Sequence, residues 1–327
     1  MTHEEITIVN ELAGNTILEA LSLLIINESK TTLRQLIAEG EIELNDSRVS
    51  TGATVNVGDR IKVPDGLDLG APPQQCMELD VLREDEDHLV FNKPPGVPVL
   101  PGRDGGQREF YDSLMAYVNR DTPPGGPYVR PHLVHRLDKD TSGVLVVARN
   151  TAASRFLSLQ FQNREVEKIY EGLAEGVLPR DEVTVNIPLG RSSESILAMV
   201  PKGRKGKPAE TKITVARRFG HFSLVRLEPH TGRQHQLRVH LAAIGYPLVV
   251  DFLYGRREQL TGKDLNEILR RRVTHPDTVL LDRCPLHARS LTYQPPGTDE
   301  RQRVEAPLPS DFQGVIRELS NLDPVGE

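Results

Sequence analysis

Four consecutive apolar residues, Val144-Leu145-Val146-Val147, read as a buried strand, and the nine residues before them read HRLDKDTSG. A strand of that composition belongs inside a sheet. His135-Arg136-Leu137-Asp138-Lys139-Asp140 is therefore a dense charge cluster set directly against the core. Either it is a solvated surface loop or it is a site where a carboxylate is held among cations for chemistry. The rest of the chain decides between these.

From Met77 onward, strand-like and helix-like segments lie side by side as often as they alternate. His88–Asn92 alternates into the rigid loop KPPGVPVLPG,. Val166–Ala174, Thr211–Ala216 and His221–Glu228 read as strands, and Thr151–Phe161 as an amphipathic helix. His235–Ile244 sets Leu237, Leu241 and Ile244 on one helical face and stops at Gly245, with Pro247 beyond,. This order implies an α+β domain with a mixed, largely antiparallel sheet, not a doubly wound one. Ahead of it, residues 1–65 form a smaller α/β module. It has a helix from Ile17 capped by Asn15 or Thr16, a second helix over Thr31–Glu39 stopped by Gly40, and short alternating segments around Asn45-Asp46 and Gly58–Val63,. Residues 66–76 are a Pro/Gly-rich linker, which leaves 77–327 for the larger domain,.

Composition narrows the function. The 327 residues carry a net charge of −6. Residues 1–65 hold eleven acidic and five basic side chains, so the remainder is balanced. Within it, residues 202–240 hold ten bases and two acids, and Arg270-Arg271-Arg272 follows. Such clustering is the footprint of a phosphate-binding face on an otherwise neutral chain. The longest apolar stretch, Ile17–Ile26, is too short to cross a bilayer, so no membrane partner is expected,. An acidic N-terminus and two isolated cysteines, Cys76 and Cys284, point to a reducing, cytoplasmic setting without disulfides or zinc,. His230, His235 and His240 are five apart and share no face, so no metal site is expected,. HRLDKD is not the kinase HRD loop: a downstream DFG and a phosphate-binding glycine loop are missing,. No cofactor is expected.

Three stretches carry the chemistry: HRLDKDTSG, VEKIYEG and TGRQHQLRVH. An aspartate such as Asp138 stays ionised beside an arginine, as a nucleophile or base must. Arg233 precedes a helix whose N-terminal N–H groups favour anions. Tyr170, on a strand, can present its ring to a planar ligand.

Together with EDEDHLVFNKPPGVPVLPG, EKIYEGLAEG, GKPAETKITV, TGRQHQLRVHLAAIGYPLVVDFLYG and PLHARSLTY, the run VHRLDKDTSGVLVVAR resembles the RNA pseudouridine synthases. The branch is the one that modifies large-subunit ribosomal RNA and some tRNAs. Six motifs fall in family order between about residues 77 and 312. The resemblance implies an isomerase that turns specific uridines into pseudouridine. It makes Asp138 the catalytic carboxylate, Tyr170 the ring packed on the target base, Arg233 the cation paired with Asp138, and Arg136 a residue that holds the flipped nucleotide or fills its place. On this reading the charged ends of Asp138 and Arg233 come within about 4 Å at the floor of a cleft, with Tyr170 lining it and Arg136 at its mouth. Where the family usually has Gly-Asp in the following turn, this chain has Val250-Asp251.

Residues 1–65 resemble an S4-type RNA-binding domain, with Lys30 and Arg34 as its bases among Glu28, Glu39, Glu41 and Glu43. The expected partner is rRNA or tRNA, bound by a monomer. Lys202, Arg204, Lys205 and Lys207 form the candidate RNA face. The competing reading is a non-catalytic RNA-binding or ribosome-assembly factor on the same fold.

Overall fold

The computed structural model describes residues 3–8, 12–25, 28–65, 67, 75–100, 107–122, 128–195, 197–202, 205–271, 273 and 275–322. The chain divides into two compact units, Met1–Glu78 with Arg108–His132, and Leu79–Gln107 with Leu133–Glu327.

In the first unit, the strands His3–Thr7, Arg60–Pro64, Glu43–Leu44 and Ser47–Arg48 lie in that order in an antiparallel sheet. Asn45 and Asp46, with φ of 52° and 61°, make the tight turn between the two short strands,. Helix Ile17–Leu24 begins at a capping box in which Thr16 and Glu19 satisfy each other's backbone N–H,. Helix Lys30–Glu39 is capped by Ser29 and ends at Gly40 in the left-handed region,. Leu21, Leu33, Ile37 and Ile61 meet in its core.

The sequence reading divides the chain at a 66–76 linker, whereas this grouping carries the first unit to Glu78 and adds Arg108–His132 to it. Helix Glu109–Val118 and the segment after it cluster with the first unit, across a linker that lies largely outside the described residues. One tie is a set of backbone carbonyls at and after the end of helix Ile17–Leu24 that need donors. Arg130 supplies them, donating from Nε to Ser22 O (2.8 Å) and from Nη2 to Ile25 O and Glu28 O (2.6 Å each).

The second unit is built on one long mixed sheet. Eight strands run in the order Glu182–Asn186, Glu210–Phe219, Phe222–Pro229, Glu167–Glu175, Leu286–Tyr293, Ser142–Ala148, His88–Lys93 and Asp80–Glu84. All neighbours are antiparallel except Ser142–Ala148 beside Leu286–Tyr293. Helices Thr151–Asn163, Gln236–Ala243, Gly262–Leu269 and Ser310–Leu322 belong to this unit. The α+β class and the mainly antiparallel sheet are as the sequence implies. The last two helices, and Glu109–Val118, fall outside the segments that periodicity marks.

Every residue of Ser142–Ala148 is buried, as its apolar run requires. The HRLDKDT segment therefore enters the centre of the sheet, and three contacts hold it there. Lys93 Nζ, on a fully buried side chain, donates to Pro94 O (2.7 Å), Val97 O (2.8 Å) and Lys139 O (3.0 Å). Thr141 N donates back to Asp138 O (3.1 Å), closing a turn on the aspartate. Gly143 has φ +110°, and a Cβ there would collide with the backbone carbonyl of Ala288 on the parallel neighbour. That close approach is what the glycine of DTSG provides.

Replacing Gly143 with Ala is expected to destabilise the second unit by about 1–3 kcal/mol through backbone strain and the carbonyl clash. A urea denaturation midpoint indistinguishable from wild type would show that the strand can move aside.

Candidate active site

The second unit carries a cleft of about 530 Å³ whose lining includes His135, Arg136, Asp138, Tyr170, Arg233 and Arg238. Most of its lining comes from the loop entering Ser142–Ala148, the strand Glu167–Glu175 and the segment leading into helix Gln236–Ala243, with Phe161, Gln162, Arg164 and Leu286 completing it. Asp138 keeps 23% of its side chain exposed, so it faces the cleft while resting on the core.

The cation beside Asp138 is Arg238, not Arg233. Arg238 Nη1 lies 3.7 Å from Asp138 Oδ2. The same guanidinium makes a two-pronged bond to Asp251, Nε to Oδ2 at 2.7 Å and Nη2 to Oδ1 at 2.6 Å. Asp251 is fully buried at its side chain and Arg238 is 6% exposed. Burial works against the charge on Arg238. The hydrogen bonds it donates to Asp251, and the negative charges of Asp251 and Asp138, outweigh it and raise the pKa above the ordinary arginine value,.

Arg233 lies in the same cleft but is turned elsewhere: its Nε donates to Pro208 O (3.1 Å) and its backbone N–H to Gln236 Oε1 (3.1 Å). The reason is its place in the chain. Arg233 precedes helix Gln236–Ala243 in a half-buried loop, whereas Arg238 stands on the buried face of the helix with Leu237 and Leu241. The signal that would have selected Arg238 is in Leu248-Val249-Val250-Asp251. An aspartate closing an apolar run demands a buried cation. The same observation resolves the Val250-Asp251 turn. Asp251 Oδ1 accepts from Leu253 N (3.0 Å) and Tyr254 N (3.1 Å), and its carbonyl accepts from Gly255 N (2.7 Å), while Val250 packs into the core beside Leu173.

His235 is the second cation-capable neighbour of Asp138, with Nε2 4.0 Å from Oδ1. Its Nδ1 pairs with Tyr254 Oη at 2.8 Å, and Tyr254 Oη also accepts from Met199 N at 2.8 Å. A phenol donating to Nδ1 leaves the hydrogen on Nε2, facing the carboxylate. Burial lowers the His235 pKa and Asp138 opposes that shift. Tyr170 packs its ring beside Leu227, Leu237 and Leu286. Burial, together with the charge of Asp138, pushes its phenol up, so it stays protonated at neutral pH.

His135 serves the scaffold. Its ring stacks on Phe161 with centroids 4.6 Å apart, and its Nε2 accepts from Val146 N at 2.9 Å. A nitrogen that accepts a backbone N–H carries no proton, and burial with Lys168 nearby pushes the pKa of His135 down to about 3.

Arg136 is exposed on the cleft lining. Lys202 is half-buried, Lys205 and Lys207 are exposed, and none of the three lines the cleft; Arg204 lies outside the described residues, as does Arg272. In the first unit, Lys30 and Arg34 stand exposed one turn apart on helix Lys30–Glu39.

Comparison with known proteins agrees with the motif order. A family model described as RNA pseudouridylate synthase matches residues 87–243. An uncharacterized RNA pseudouridine synthase of Bacillus subtilis is 35% identical over 89% of this chain and 89% of its own length. The ribosomal large subunit pseudouridine synthase C of Escherichia coli is 32% identical over 97% of this chain and 96% of its own. Among solved structures, human RNA pseudouridylate synthase domain containing 4 superposes with a TM-score of 0.56 at 26% identity, covering 73% of this chain and 92% of that one.

The neutral state of His135 sets a pH dependence. Its folded pKa of about 3 lies below the unfolded value near 6.5, so the unfolded chain binds the extra proton between them,. Its contribution is therefore complete above about pH 6.5 and is lost as pH falls toward 3. The urea midpoint is expected to drop from pH 6.5 to 4.5, and to drop less steeply in His135→Gln. Equal slopes in the two proteins would contradict this assignment.

Proposed function

Because the chain belongs to the RNA pseudouridylate synthase family, and is an isomerase of that kind, we propose that it converts specific uridines of large-subunit ribosomal RNA with Asp138 as the catalytic carboxylate. The observation that carries this reading is the placement of Asp138. It is a partly exposed carboxylate in a cleft, against a guanidinium whose other edge is locked to a buried aspartate.

The reaction breaks the N1–C1′ bond of a uridine, turns the base within the site, and joins C5 to C1′, with a proton leaving C5 and one ending on N1. No net oxidation occurs and no group is transferred to another molecule. The target base must leave its stack to be reached. Asp138, 3.7 Å from the Arg238 guanidinium, either attacks C1′ or takes the proton from C2′,. Tyr170 offers the detached base a ring on which to turn, and its protonated phenol adds no charge beside Asp138. A fixed guanidinium near the carboxylate also needs little rearrangement as charge shifts during the reaction. Arg136, at the exposed edge, is suited to the RNA strand beside the extruded nucleotide.

Docking of the RNA draws on cations away from the cleft, the exposed Lys205 and Lys207 with the half-buried Lys202, and Arg204, outside the described residues, is the fourth base of that segment. The first unit, read as S4-like, offers Lys30 and Arg34. The protein acts as a monomer in the cytoplasm on this reading.

Asp138→Asn keeps the shape of the side chain and removes its charge and nucleophilicity. Release of tritium from uridine C5 in a large-subunit rRNA transcript is expected to fall on the order of 10³-fold or more, with the urea midpoint little changed. Activity within ten-fold of wild type would remove Asp138 from the mechanism and favour a binding role for the cleft.

A further inference from the structure

The turn after helix Gln236–Ala243 displays a feature that the isomerisation does not use. Phe252 is 62% exposed, and among the described residues it is the only phenylalanine or tyrosine left open to solvent. The remaining phenylalanines and all seven tyrosines are buried or half-buried. An exposed ring forgoes the burial free energy that a phenylalanine ordinarily contributes. Nor does it lie at random on the surface. Its ring centroid is 5.6 Å from the Arg238 guanidinium carbon, on the cation that meets Asp138 at 3.7 Å. Tyr254 approaches the same guanidinium at 5.0 Å.

The ring is also held in place. Asp251 fixes the backbone on either side of Phe252: its carboxylate binds Arg238 and accepts the N–H groups of Leu253 and Tyr254, and its carbonyl accepts Gly255 N. A phenylalanine has only two side-chain torsions to fix, so a ring on such a turn costs little to order against a ligand. The guanidinium lies within cation–π range, and the exposure leaves much of the ring open for contact,.

We propose that Phe252 is a stacking platform for the base of a nucleotide adjacent to the target uridine. This rests on the RNA-modifying reading of the cleft. Extruding one nucleotide from an RNA strand deprives its neighbour of a stacking partner. Aromatic side chains beside a single-stranded path take up such bases, through the π-face that every base has. Tyr170 serves the extruded base inside the cleft. Phe252 serves a flanking base outside it, one guanidinium away from Asp138. The same turn thus anchors the reacting centre and positions the strand, which makes Phe252 a binding residue and not a catalytic one.

The test uses the full chain and a short oligoribonucleotide spanning a uridine mapped as its product site in large-subunit rRNA, labelled with tritium at C5. Phe252→Ala is expected to raise KM about ten-fold, equivalent to about 1.4 kcal/mol, with kcat within two-fold of wild type; Phe252→Trp is expected to restore KM. Replacing the flanking nucleotide on one side by an abasic residue should raise the wild-type KM by a similar factor and leave Phe252→Ala unaffected. Four outcomes overturn the proposal. The first is a KM of Phe252→Ala equal to that of an active wild type. The second is a defect that persists undiminished with abasic residues on both sides. The third is a change in oligomeric state alone, which would make the ring a contact between copies of the chain. Finally, a wild type that releases no tritium from any large-subunit rRNA transcript would overturn the activity reading and this inference with it.

Discussion

Arg238 ties the site to the fold. Its guanidinium is almost wholly withdrawn from water, with one edge clamped by two short bonds to the buried Asp251 and another facing Asp138 across 3.7 Å. A pair so deeply buried adds little net stability, because desolvating both charges offsets most of their attraction; removing one partner, however, costs about 3–5 kcal/mol. Its value is geometric. Asp251 organises the turn after the helix, Arg238 carries that order through the helix, and Asp138 receives a cation whose position is set before any RNA arrives. From the other side, Lys93 and the Thr141 turn fix the backbone of the same loop. The carboxylate is thus held between two buried supports.

Much of this was legible in the residues, but unevenly. Val144–Val147 announced a central strand, and the charge cluster before it marked the site, because a polar run tied to a buried strand must end at the sheet's edge or in a cleft. The strand at Glu167–Glu175 and the helix at Gln236–Ala243 followed from periodicity and from the stop at Gly245. The pairing of Asp138 did not. TGRQHQLRVH offers two arginines, and nothing local tells which one turns inward; the answer lies thirteen residues past Arg238, in the need of Asp251 for a cation. Helix Ser310–Leu322 escaped notice for a related reason. Its core residues Phe312, Val315 and Leu319 join a cluster that includes Leu173, Phe219, Phe222 and Leu281, all outside the helix and most of them distant in sequence. The grouping of Arg108–His132 with the first unit rests in part on Arg130 meeting carbonyls more than a hundred residues earlier.

Charge is divided by task within the second unit. In the cleft, Arg238 is matched by Asp251 and Asp138, burial pushes the Tyr170 phenol up, and burial lowers the pKa of His235 against the pull of Asp138. Away from it, Lys205 and Lys207 stand in solvent, where their attraction for phosphates is long-ranged and weakened by salt. On the proposed reading, short-range pairing positions the carboxylate, and exposed cations gather RNA without disturbing it. A chain with a net charge of −6 can in this way serve a polyanion.

On the proposed reading, Arg238 and not Arg233 is the cation that positions Asp138 for reaction. The most direct test is kcat for tritium release from the same RNA by Arg238→Met and by Arg233→Met, each first shown to be folded by its urea midpoint. The account predicts a loss of at least about 100-fold in Arg238→Met, the scale expected when a charge partner at a reacting centre is removed, and a kcat within ten-fold of wild type in Arg233→Met. The reverse order, with Arg238→Met active and Arg233→Met inactive, would contradict it.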